Sequence, residues 1–513
     1  MFKRHVHIFG VCFFILFSFL PAYNILIHAS KSDDVWYNKK ILFNFDGLIS
    51  GVATVLSVFR ITPYGEKVLL GKEGWMFLGD EFYKTLTHAQ RGVADQEIKK
   101  NAVYIYDALL AWDAYFKARG IPFFKVVIIP DKHTVYPEFL PDWFKLAPQS
   151  LYDYLLAHDK GRLFIDLKKY ILLKKSKGRH FLYFKTDSHW NTWGGAIAAR
   201  HITDVMAMQG MKNLKKLPAE LFDPVGNMES QDGDLVRLAR IKNKESEAAL
   251  FSHYAMDNRL ITQVNPLTNE SHDVSIQETV AVDHDPIVVT SDRALNKKKL
   301  IWMRDSFGET IKVPLSLMFS DVLQWKQTER FNIQLFEKLV QEWQADGILY
   351  TVVERHLSSA LMQSCPPVNT LALPKMLHFV SNARFLRSTE LTEGEKSKTG
   401  ISFDVLYQFK DPLTPCADHY LMIDLPQDAK QKGTLIFSWE GDTYEEEKGL
   451  ELSHRKVVVE LSAGKQLVHL GAVVGWRGYQ NIKKLKLRVK IPIGSEIELP
   501  ESLWIAKIPF TNL

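Results

Sequence analysis

Residues 299–308 read KLIWMRDSFG, an apolar run followed closely by a serine. The first half of this stretch, Lys299–Met303, is a short, mostly apolar run of the kind found in strands buried within a parallel sheet. A helix-like sequence follows, so Ser306 lies at a strand-to-helix turn. At such a turn the hydroxyl is presented, and the first N–H groups of the helix can stabilise an oxyanion. The stretch predicts an α/β fold with a serine nucleophile at the carboxyl edge of its sheet.

A second stretch contains the acid and the base that a serine nucleophile needs. Residues 186–191 read TDSHWN, which places Asp187 two positions before His189. A carboxylate at this spacing can orient the imidazole, and the imidazole can then accept the proton of Ser306. The two stretches together predict a triad with Ser306 as nucleophile, His189 as base and Asp187 as acid.

Structural roles are an alternative for the same residues. Ser306 begins a Ser-x-x-Glu pattern that ends at Glu309, so its hydroxyl is equally suited to cap a helix. Asp187 and Ser188 are suited to cap the helix that the apolar spacing predicts from about residue 191 to residue 206. No third metal ligand lies near the Asp-x-His pair in the sequence, so no metal is predicted. On the residues alone, the catalytic and the structural interpretation both stay open.

Strand and helix patterns alternate from about residue 71 to residue 382. Helical spacing covers 95–117 and 327–346, and strand-like apolar runs cover 122–130, 299–303 and 348–353. This alternation predicts a three-layer α/β sandwich with a mostly parallel sheet. The region 210–299 interrupts the pattern. Residues 228–244 are predicted to be a loop with a mixed segment, and short strands are predicted around residues 276–290. The whole region is expected either to roof the active-site groove or to be a surface excursion.

Residues 401–513 show short alternating runs separated by turn residues, which predicts a β-sandwich. The polar stretch 388–400 is predicted to link this sandwich to a catalytic domain of residues 31–387. Trp476 and Tyr479 are the best candidates for contacts with sugar rings, because they lie in an apparent loop. Most single aromatic residues of such a domain are nevertheless core residues.

The N-terminus predicts export. Lys3 and Arg4 precede a long apolar stretch, residues 6–29, whose length approaches the roughly 20 residues that span a bilayer. Residues 1–30 are therefore predicted to be an uncleaved signal anchor, with a cleaved signal peptide as the alternative. In an oxidising compartment Cys365 and Cys416 can form a disulfide if their distance allows it.

The charge balance limits the function classes. The chain has 64 lysine and arginine residues against 59 aspartate and glutamate residues, and the two signs are interspersed. Proteins that bind nucleic acid usually concentrate their basic residues on one face, so nucleic acid is not predicted as a partner. A chain of 513 residues is long enough for two domains after the anchor.

Four phrases resemble the periplasmic alginate O-acetyltransferase family, whose catalytic domain is SGNH-hydrolase-like. They are residues 71–78 (GKEGWMFL), 129–137 (IPDKHTVYP), 186–191 (TDSHWN) and 304–308 (RDSFG). The phrases occur in the family's order and extend over most of residues 70–360. In that family, as here, the Asp-x-His phrase precedes the serine, whereas ordinary SGNH hydrolases have the serine first. The resemblance assigns the roles of nucleophile, base and acid to Ser306, His189 and Asp187.

The resemblance also implies an activity and its partners. It implies transfer of an acetyl group, through an acetyl-serine intermediate, to hydroxyls of an exported polysaccharide, and it implies no cofactor. A separate membrane-bound O-acyltransferase would supply the acetyl group. The protein would be periplasmic and held at the inner membrane by residues 6–29, and residues 401–513 would form a carbohydrate-binding-like domain. Further candidates for contacts with the substrate or the oxyanion are Trp190, Asn191, Arg304, Lys132 and His133.

Two other functions remain compatible with the sequence. The same triad hydrolyses acetyl esters if water replaces the sugar, which describes an acetyl esterase or deacetylase. Alternatively, the chain is a non-catalytic polysaccharide-binding scaffold of a secretion complex, in which Ser306 only caps a helix.

Overall fold

The computed structural model describes most of the chain from residue 44 to residue 359 and the strands that follow. The described residues are 21–22, 24, 44–211, 213–230, 233–242, 246–278, 286–326, 333–359, 362, 381–397, 400–416, 419–425, 433–443, 456–460, 464–477, 479–492, 499 and 502–507. Most of the predicted anchor, residues 6–29, lies outside these ranges, as does Cys365 of the predicted disulfide. Within them, no helix is long and apolar enough to cross a membrane.

Helices and strands alternate along the first part of the chain, as the sequence predicts. The helices are α1 (Asp46–Val58), α2 (Thr85–Arg91), α3 (Gln96–Ala118), α4 (Lys132–Val135), α5 (Leu151–Asp159), α6 (Leu167–Lys177), α7 (Thr192–Gln209), α8 (Asp234–Leu238), α9 (Lys312–Met318) and α10 (Ile333–Trp343). The strands are β1 (Val68–Leu70), β2 (Met76–Leu78), β3 (Phe123–Ile129), β4 (Phe164–Ile165), β5 (Pro224–Ser230), β6 (Glu247–Ser252), β7 (Leu260–Val264), β8 (Ser271–Ser275), β9 (Ile287–Thr290), β10 (Asn296–Arg304), β11 (Phe319–Lys326) and β12 (Gly347–Val353).

Eight of these strands form one mixed sheet in the order β4–β3–β12–β10–β11–β9–β7–β8. The neighbours from β4 to β11 run parallel, and β9, β7 and β8 extend the sheet in antiparallel fashion. The predicted parallel core is therefore confirmed. The antiparallel extension comes from the region 210–299. Its sequence lacks regular strand–helix alternation because antiparallel neighbours need no crossover helix.

The sheet is covered on both faces. Along β10, Leu300 and Trp302 belong to one hydrophobic core, and Ile301 and Met303 belong to the other. The first core includes side chains of α6, α7 and α9, and the second includes side chains of α3, α5 and α10. Successive side chains of a strand point to opposite faces, so burial on both faces explains the uninterrupted apolar runs of the central strands. The predicted three-layer α/β sandwich is confirmed.

The segment 228–244, predicted as a loop with a mixed segment, contains the end of a strand and a short helix. Strand β5 pairs with β6 in an antiparallel hairpin, and the short helix α8 lies between the two strands. The hairpin is rich in polar residues because it forms a separate two-stranded sheet at the surface rather than a strand of the core. Polar composition alone therefore concealed these elements.

The C-terminal region is an all-β domain, as predicted. Its strands are β13 (Ser381–Ser397), β14 (Gly400–Leu413), β15 (His419–Leu425), β16 (Thr434–Thr443), β17 (Lys456–Glu460), β18 (Gly464–His469), β19 (Tyr479–Ile491) and β20 (Ser502–Lys507), and the helical turn α11 (Val474–Arg477) precedes β19. They form an antiparallel series in the order β17–β16–β19–β14–β13–β20–β15–β18. Buried residues of β14, β15, β16, β19 and β20 share one core, so the series folds over itself as in a sandwich.

Most of residues 388–400, predicted as a linker, lie in strands. Strand β13 runs through this segment to Ser397, and Glu395 and Lys396 pair with Ser402 and Ile401 of β14. The boundary also moves forward, because β13 begins at residue 381, within the predicted catalytic domain. Backbone pairing in a long hairpin continues without apolar side chains. The polar sequence was therefore no sign of an unstructured connection.

Candidate active site

Ser306 lies directly after β10, at the first position of a 3-10 turn formed by residues 306–310. Asp305 caps this turn by accepting a hydrogen bond from the N–H of Phe307 at 3.0 Å. Its other carboxylate oxygen accepts from the N–H of Val353, at the end of β12, at 2.7 Å. Ser306 is thus fixed at the carboxyl edge of two central parallel strands, the edge at which α/β proteins bind ligands.

The interpretation of Ser306 as a helix cap is wrong. Asp305 caps the turn, and the carboxylate of Glu309 pairs with Arg304 at 2.7 Å. The Ser306 hydroxyl oxygen instead lies 2.8 Å from Nε2 of His189. The two residues of the apparent capping box therefore have separate roles: Ser306 contacts His189, and Glu309 pairs with Arg304.

Asp187 and His189 continue a row of hydrogen bonds that starts at Ser306. Nδ1 of His189 lies 2.7 Å from Oδ1 of Asp187. An ionised carboxylate can only accept hydrogen bonds, so Nδ1 carries the proton and Nε2 accepts the hydrogen bond of the Ser306 hydroxyl. The structure thus brings together the three residues of the predicted triad in the order that serine catalysis requires.

The surroundings of Asp187 keep its carboxylate ionised. Burial alone would raise its pKa, but the ring of His189 donates to it, and so do two backbone N–H groups. The backbone groups belong to His189 and Asp234 and lie 2.9 and 3.0 Å from the two oxygens. These hydrogen bonds outweigh burial and hold the pKa of Asp187 below its usual range. The negative charge then stabilises the imidazolium that forms when His189 takes a proton.

Asp234 is a second carboxylate beside His189 that sequence reasoning missed. It begins α8, and its Oδ1 accepts a hydrogen bond from the N–H of Ser188 at 2.6 Å. Its Oδ2 lies 3.8 Å from Nδ1 of His189. Gly233 permits this approach, because a Cβ there would lie 2.1 Å from the carbonyl oxygen of Thr186. The sequence offered only a Gly-Asp pair in an irregular segment, a pattern too common to select it.

Lys132, a predicted contact for substrate or oxyanion, lies buried behind the segment that carries Asp187 and His189. Its side chain is buried, and Nζ donates to the carbonyl oxygens of Phe184 at 3.1 Å, Lys185 at 3.0 Å and Asp187 at 2.6 Å. Burial is the largest influence on the pKa of Lys132 and lowers it to about 7, against the opposing effect of nearby carboxylates. The ammonium group therefore holds the backbone of the segment that carries the acid and the base.

Arg304, a predicted oxyanion donor, is also buried. Beyond its ion pair with Glu309, its Nε donates to Oε1 of Gln324 at 3.2 Å. Gly308 leaves room for it, since a Cβ there would lie 2.5 Å from Cδ of Arg304. The guanidinium is committed to these partners and supports the turn that carries Ser306, which corrects the predicted role.

Trp190 and Asn191 have structural roles as well. The ring of Trp190 is 2% exposed and packs edge-on against Phe307. Asn191 caps α7 by accepting from the N–H of Gly194 at 2.9 Å, and its Nδ2 donates to the carbonyl oxygen of Phe181 at 2.7 Å. Both side chains are therefore withdrawn from substrate, and Asn191 takes the capping role that Asp187 and Ser188 were considered for.

His133 belongs to a buried polar cluster with Asp131 and Glu354. The three residues offer ligand atoms within 4.8 Å of one another, as do Asp187, His189 and Asp234, so these are the two groups in the described ranges that could hold a metal ion. In the first group, Asp131 forms an ion pair with Arg355, and Glu354 accepts from the N–H of Asp131 at 3.0 Å. Protein partners thus account for both carboxylates, and His133 is buried beneath the surface rather than presented to substrate.

The two aromatic residues predicted to contact sugars lie in the core of the C-terminal domain. Trp476 is fully buried and packs at right angles against Trp439, with ring centroids 5.2 Å apart. Tyr479 is 5% exposed, and its hydroxyl donates to the carbonyl oxygen of Trp439 at 3.4 Å. The apparent loop is the helical turn α11 followed by the start of β19. The prediction of a sugar platform here is wrong, because the loop sequence packs inward.

A cleft of about 480 Å³ opens beside His189. Its lining includes Tyr83, Arg237, Arg355 and His356. Asp305 positions His356, since Oδ2 of Asp305 lies 3.5 Å from Nδ1 of His356. The ring of His356 also packs against the ring of Tyr83, with their centroids 4.5 Å apart. An aromatic ring and two guanidinium groups therefore border the space next to the triad.

The backbone at Tyr83 is strained. Tyr83 and Lys84 have φ angles of 57° and 49°, both in the left-handed region that residues with a bulky side chain rarely adopt. A conformation of this kind costs about 1–3 kcal/mol per residue and is concentrated at functional sites. The side chain of Tyr83 remains 39% exposed at the mouth of the cleft. The strain thus coincides with the presentation of an aromatic ring to the space beside His189.

The fold and the site together define an SGNH-hydrolase-like α/β protein in which hydrogen bonds link a serine, a histidine and an aspartate. Residues 68–266 match the family model described as "SGNH hydrolase-like domain, acetyltransferase AlgX". This segment contains Asp187 and His189 and ends before Ser306. The match covers less than half of the chain, and it confirms the resemblance drawn from the four sequence phrases.

Individual relatives are similar to parts of the chain. The probable alginate O-acetylase AlgJ of Pseudomonas putida is 26% identical over 172 residues, a match that covers 33% of this chain and 40% of that protein. The chain thus spans less than half the length of this curated relative. Among solved structures, the O-acetyltransferase domain of Pseudomonas putida AlgJ is 18% identical, covers 57% of this chain and 92% of its own, and has a TM-score of 0.34. The structure of Pseudomonas aeruginosa AlgX is 12% identical; the match covers 88% of this chain and 98% of the AlgX chain, with a TM-score of 0.37.

Proposed function

We propose that this protein is an O-acetyltransferase that carries an acetyl group on Ser306 and transfers it to hydroxyls of an exported polysaccharide. The observation that supports this most is the row of hydrogen bonds from Asp187 through His189 to Ser306, with distances of 2.7 and 2.8 Å. Such a row serves acyl transfer in general. The acetyl group as cargo is supported by the acetyltransferase family model that residues 68–266 match.

The first half of the reaction acetylates the serine. Nε2 of His189 accepts the proton of the Ser306 hydroxyl as Oγ attacks the carbonyl carbon of the donor ester. The N–H of Ser306, at the start of the 3-10 turn, is our candidate donor to the resulting oxyanion. The tetrahedral intermediate then expels the donor's alkoxide, which takes the proton from His189. Acetyl-Ser306 and neutral His189 remain.

The second half repeats this chemistry with a sugar as the nucleophile. His189 accepts the proton of a sugar hydroxyl, whose oxygen attacks the carbonyl carbon of acetyl-Ser306. Collapse of the intermediate releases the acetylated sugar, and Oγ of Ser306 takes back a proton from His189. Asp187 stays ionised throughout, because its pKa is held below the usual range, and it stabilises the imidazolium in both halves.

The setting of the reaction is proposed from the sequence and its relatives. The curated relative is named as a probable alginate O-acetylase, which supports an acidic polysaccharide as acceptor. We place the protein in the periplasm, held at the inner membrane by residues 6–29, whose apolar run follows Lys3 and Arg4. A membrane-bound O-acyltransferase is the proposed source of acetyl groups.

The cleft beside His189 is the proposed place of the acceptor. Tyr83 offers a ring of the kind on which a pyranose stacks, and Arg237 is an exposed arginine whose guanidinium can bind a sugar carboxylate. Both line the same cleft as His189, which must reach the attacking hydroxyl. The two residues therefore suit a sugar that carries a negative charge.

Replacement of Tyr83 by alanine is expected to raise KM for a mannuronate hexasaccharide about tenfold, the equivalent of one lost stacking contact of roughly 1.4 kcal/mol. Acetylation of Ser306 by p-nitrophenyl acetate should change little, because the small donor does not need the platform. Initial rates with the two substrates measure this. Tyr154→Ala is the matched control, since Tyr154 also stacks on a histidine, His158, but lies on α5 outside the cleft. Equal KM values for the two variants would contradict the assignment.

The same assay separates transfer from hydrolysis. Wild-type protein is incubated with p-nitrophenyl acetate and the hexasaccharide, and the sugar is analysed by mass spectrometry. A gain of about 42 Da, the mass of an acetyl group that replaces a proton, is the expected product. Release of acetate alone, with the sugar unchanged at saturating concentration, would instead identify an acetyl esterase. Binding of the sugar without turnover of either kind would identify a scaffold.

A further inference from the structure

Helix α1 carries an unusual amount of exposed apolar surface. Seven large apolar residues between positions 45 and 61 are between 41% and 78% exposed: Phe45, Leu48, Val52, Val55, Val58, Phe59 and Ile61. Five of them, at positions 45, 48, 52, 55 and 59, follow one another at intervals of three or four, so they form one stripe along the helix. We call these five residues the α1 stripe. A contiguous apolar surface of this kind marks an interaction site.

The opposite face of the helix is attached to the protein. Ala53 is buried, and the hydroxyl of Thr54 accepts a hydrogen bond from the N–H of Lys242 at 2.9 Å. Asp46 forms an ion pair with Arg240 at 2.8 Å. The α1 stripe is therefore held outward by contacts on the other side of the helix, rather than exposed because the helix is detached.

The sequence around the helix indicates what covers the stripe. The apolar run 6–29 ends 17 positions before α1 begins, so the start of α1 lies within about 60 Å of the end of that run, even for a fully extended connection. The α1 stripe contains only phenylalanine, leucine and valine, which suits the acyl-chain region just below the headgroups. Arg60, which is exposed at the end of the stripe, supplies a positive charge for anionic headgroups.

We propose that α1 lies in the surface of a lipid bilayer with the α1 stripe immersed among the acyl chains. This contact is distinct from the proposed spanning of the membrane by residues 6–29. It fixes the orientation of the folded domain, which attachment through residues 6–29 alone does not. Arg240 and Lys242, which hold α1, follow directly after α8, and α8 contributes Arg237 to the cleft. The bilayer surface is thereby placed near the cleft, where a donor delivered from a membrane protein would arrive.

Site-specific fluorescence of the full-length protein in vesicles tests this proposal. A nitrobenzoxadiazole label is attached at Val55→Cys, with Cys12, Cys365 and Cys416 replaced by serine, in vesicles of phosphatidylethanolamine and phosphatidylglycerol. Leu173→Cys is the matched control, because Leu173 is an exposed apolar residue of α6, with 47% exposure against 63% for Val55. We expect a blue-shifted emission at position 55 that brominated phospholipids quench, and neither effect at position 173. Thermal unfolding of both labelled proteins verifies that they are folded.

Two results would overturn the proposal. If the label at position 55 has the same emission as the label at 173 and is quenched by aqueous iodide, the α1 stripe faces water. If it is protected from iodide but brominated lipids do not quench it, another protein surface or a second copy of the chain covers the stripe. Neither result depends on acetyltransferase activity, so the test is independent of the proposed function.

Discussion

Replacement of His189 by alanine is expected to lower the rate of Ser306 acetylation by p-nitrophenyl acetate by about 10³-fold or more. The imidazole is the only described group within hydrogen-bonding distance of the Ser306 hydroxyl oxygen, at 2.8 Å. Without it the hydroxyl keeps its proton and remains a weak nucleophile. Stopped-flow measurement of nitrophenolate release over the first turnover reports this step directly.

The control for this change is His158→Ala, which removes an exposed histidine from α5. It should leave the first turnover unchanged. His189→Gln keeps a polar side chain of similar size but has no base, and it is expected to be as inactive as the alanine variant. Activity of the glutamine variant close to that of wild type would show that His189 serves only to position the serine.

Replacement of Lys132 by methionine is expected to lower kcat for acetylation about 100-fold, with little change in KM for the small ester. Lys132 contacts no substrate in our account but donates to three carbonyl oxygens of residues 184–187. Loss of these hydrogen bonds frees the backbone beside Asp187, and a displacement of about 1 Å in a catalytic group costs on the order of 10²-fold in rate. Steady-state kinetics separate kcat from KM.

Lys125→Met is the matched control, because the ammonium of Lys125 also donates to backbone carbonyl oxygens, those of Gly161 and Arg162, but away from the active site. Its kcat should be unchanged. Equal loss of kcat in both lysine variants, together with equal loss of stability, would show that Lys132 supports the fold and has no special relation to the triad.

The pH dependence of stability provides a second measure of Lys132. Its pKa is about 7 in the folded protein, against an ordinary value of 10.5, so the unfolded chain binds the additional proton between these values. Unfolding free energy of the wild type relative to Lys132→Met should therefore rise as pH increases from about 7 to about 10, and fall as pH decreases towards 7. Denaturant titrations across this range measure the difference.

The triad was predictable because each of its members lies in a local pattern. The apolar run before Ser306 identified a buried strand, and the parallel order of β3, β12 and β10 then fixed the edge at which the serine lies. The two-residue spacing of Asp187 and His189 needed no knowledge of distant contacts. Only the 117-residue separation between His189 and Ser306 had to be closed by the fold.

The neighbours of the triad were not predictable in the same way. Lys132 lies just after β3, Arg304 ends β10 and Trp190 follows His189, so all three looked close to the site. Each is nevertheless buried and contacts residues farther along the chain: Lys132 contacts Phe184, Arg304 contacts Gln324 and Trp190 contacts Phe307. Their chemistry suits a substrate contact as well as a structural one, and only burial decides between the two. Asp234, in contrast, lies near His189 although nothing in the sequence pattern marked it as a site residue. Its position depends on a turn at Gly233, which apolar periodicity does not predict.

Composition misled where backbone pairing replaced packing. The polar residues 388–397 are the end of a long strand, whose pairing with β14 is independent of apolar side chains. Trp476 and Tyr479 were misplaced for the opposite reason, because a Gly-containing sequence that looks like a loop forms a turn packed into the core. In both cases the pattern of apolar and polar residues along the sequence did not show which distant residues the segment would contact.

Acetylation of Ser306 is detected by mass spectrometry of the Ser306-containing peptide after brief incubation of the protein with p-nitrophenyl acetate and acid quenching. We predict a gain of about 42 Da, the mass of one acetyl group in place of a proton, located on Ser306. Ser306→Ala protein treated identically should show no acetyl group on this peptide. An unmodified Ser306 in wild-type protein that still turns over the ester, or equal turnover by the alanine variant, would contradict an acetyl-serine mechanism.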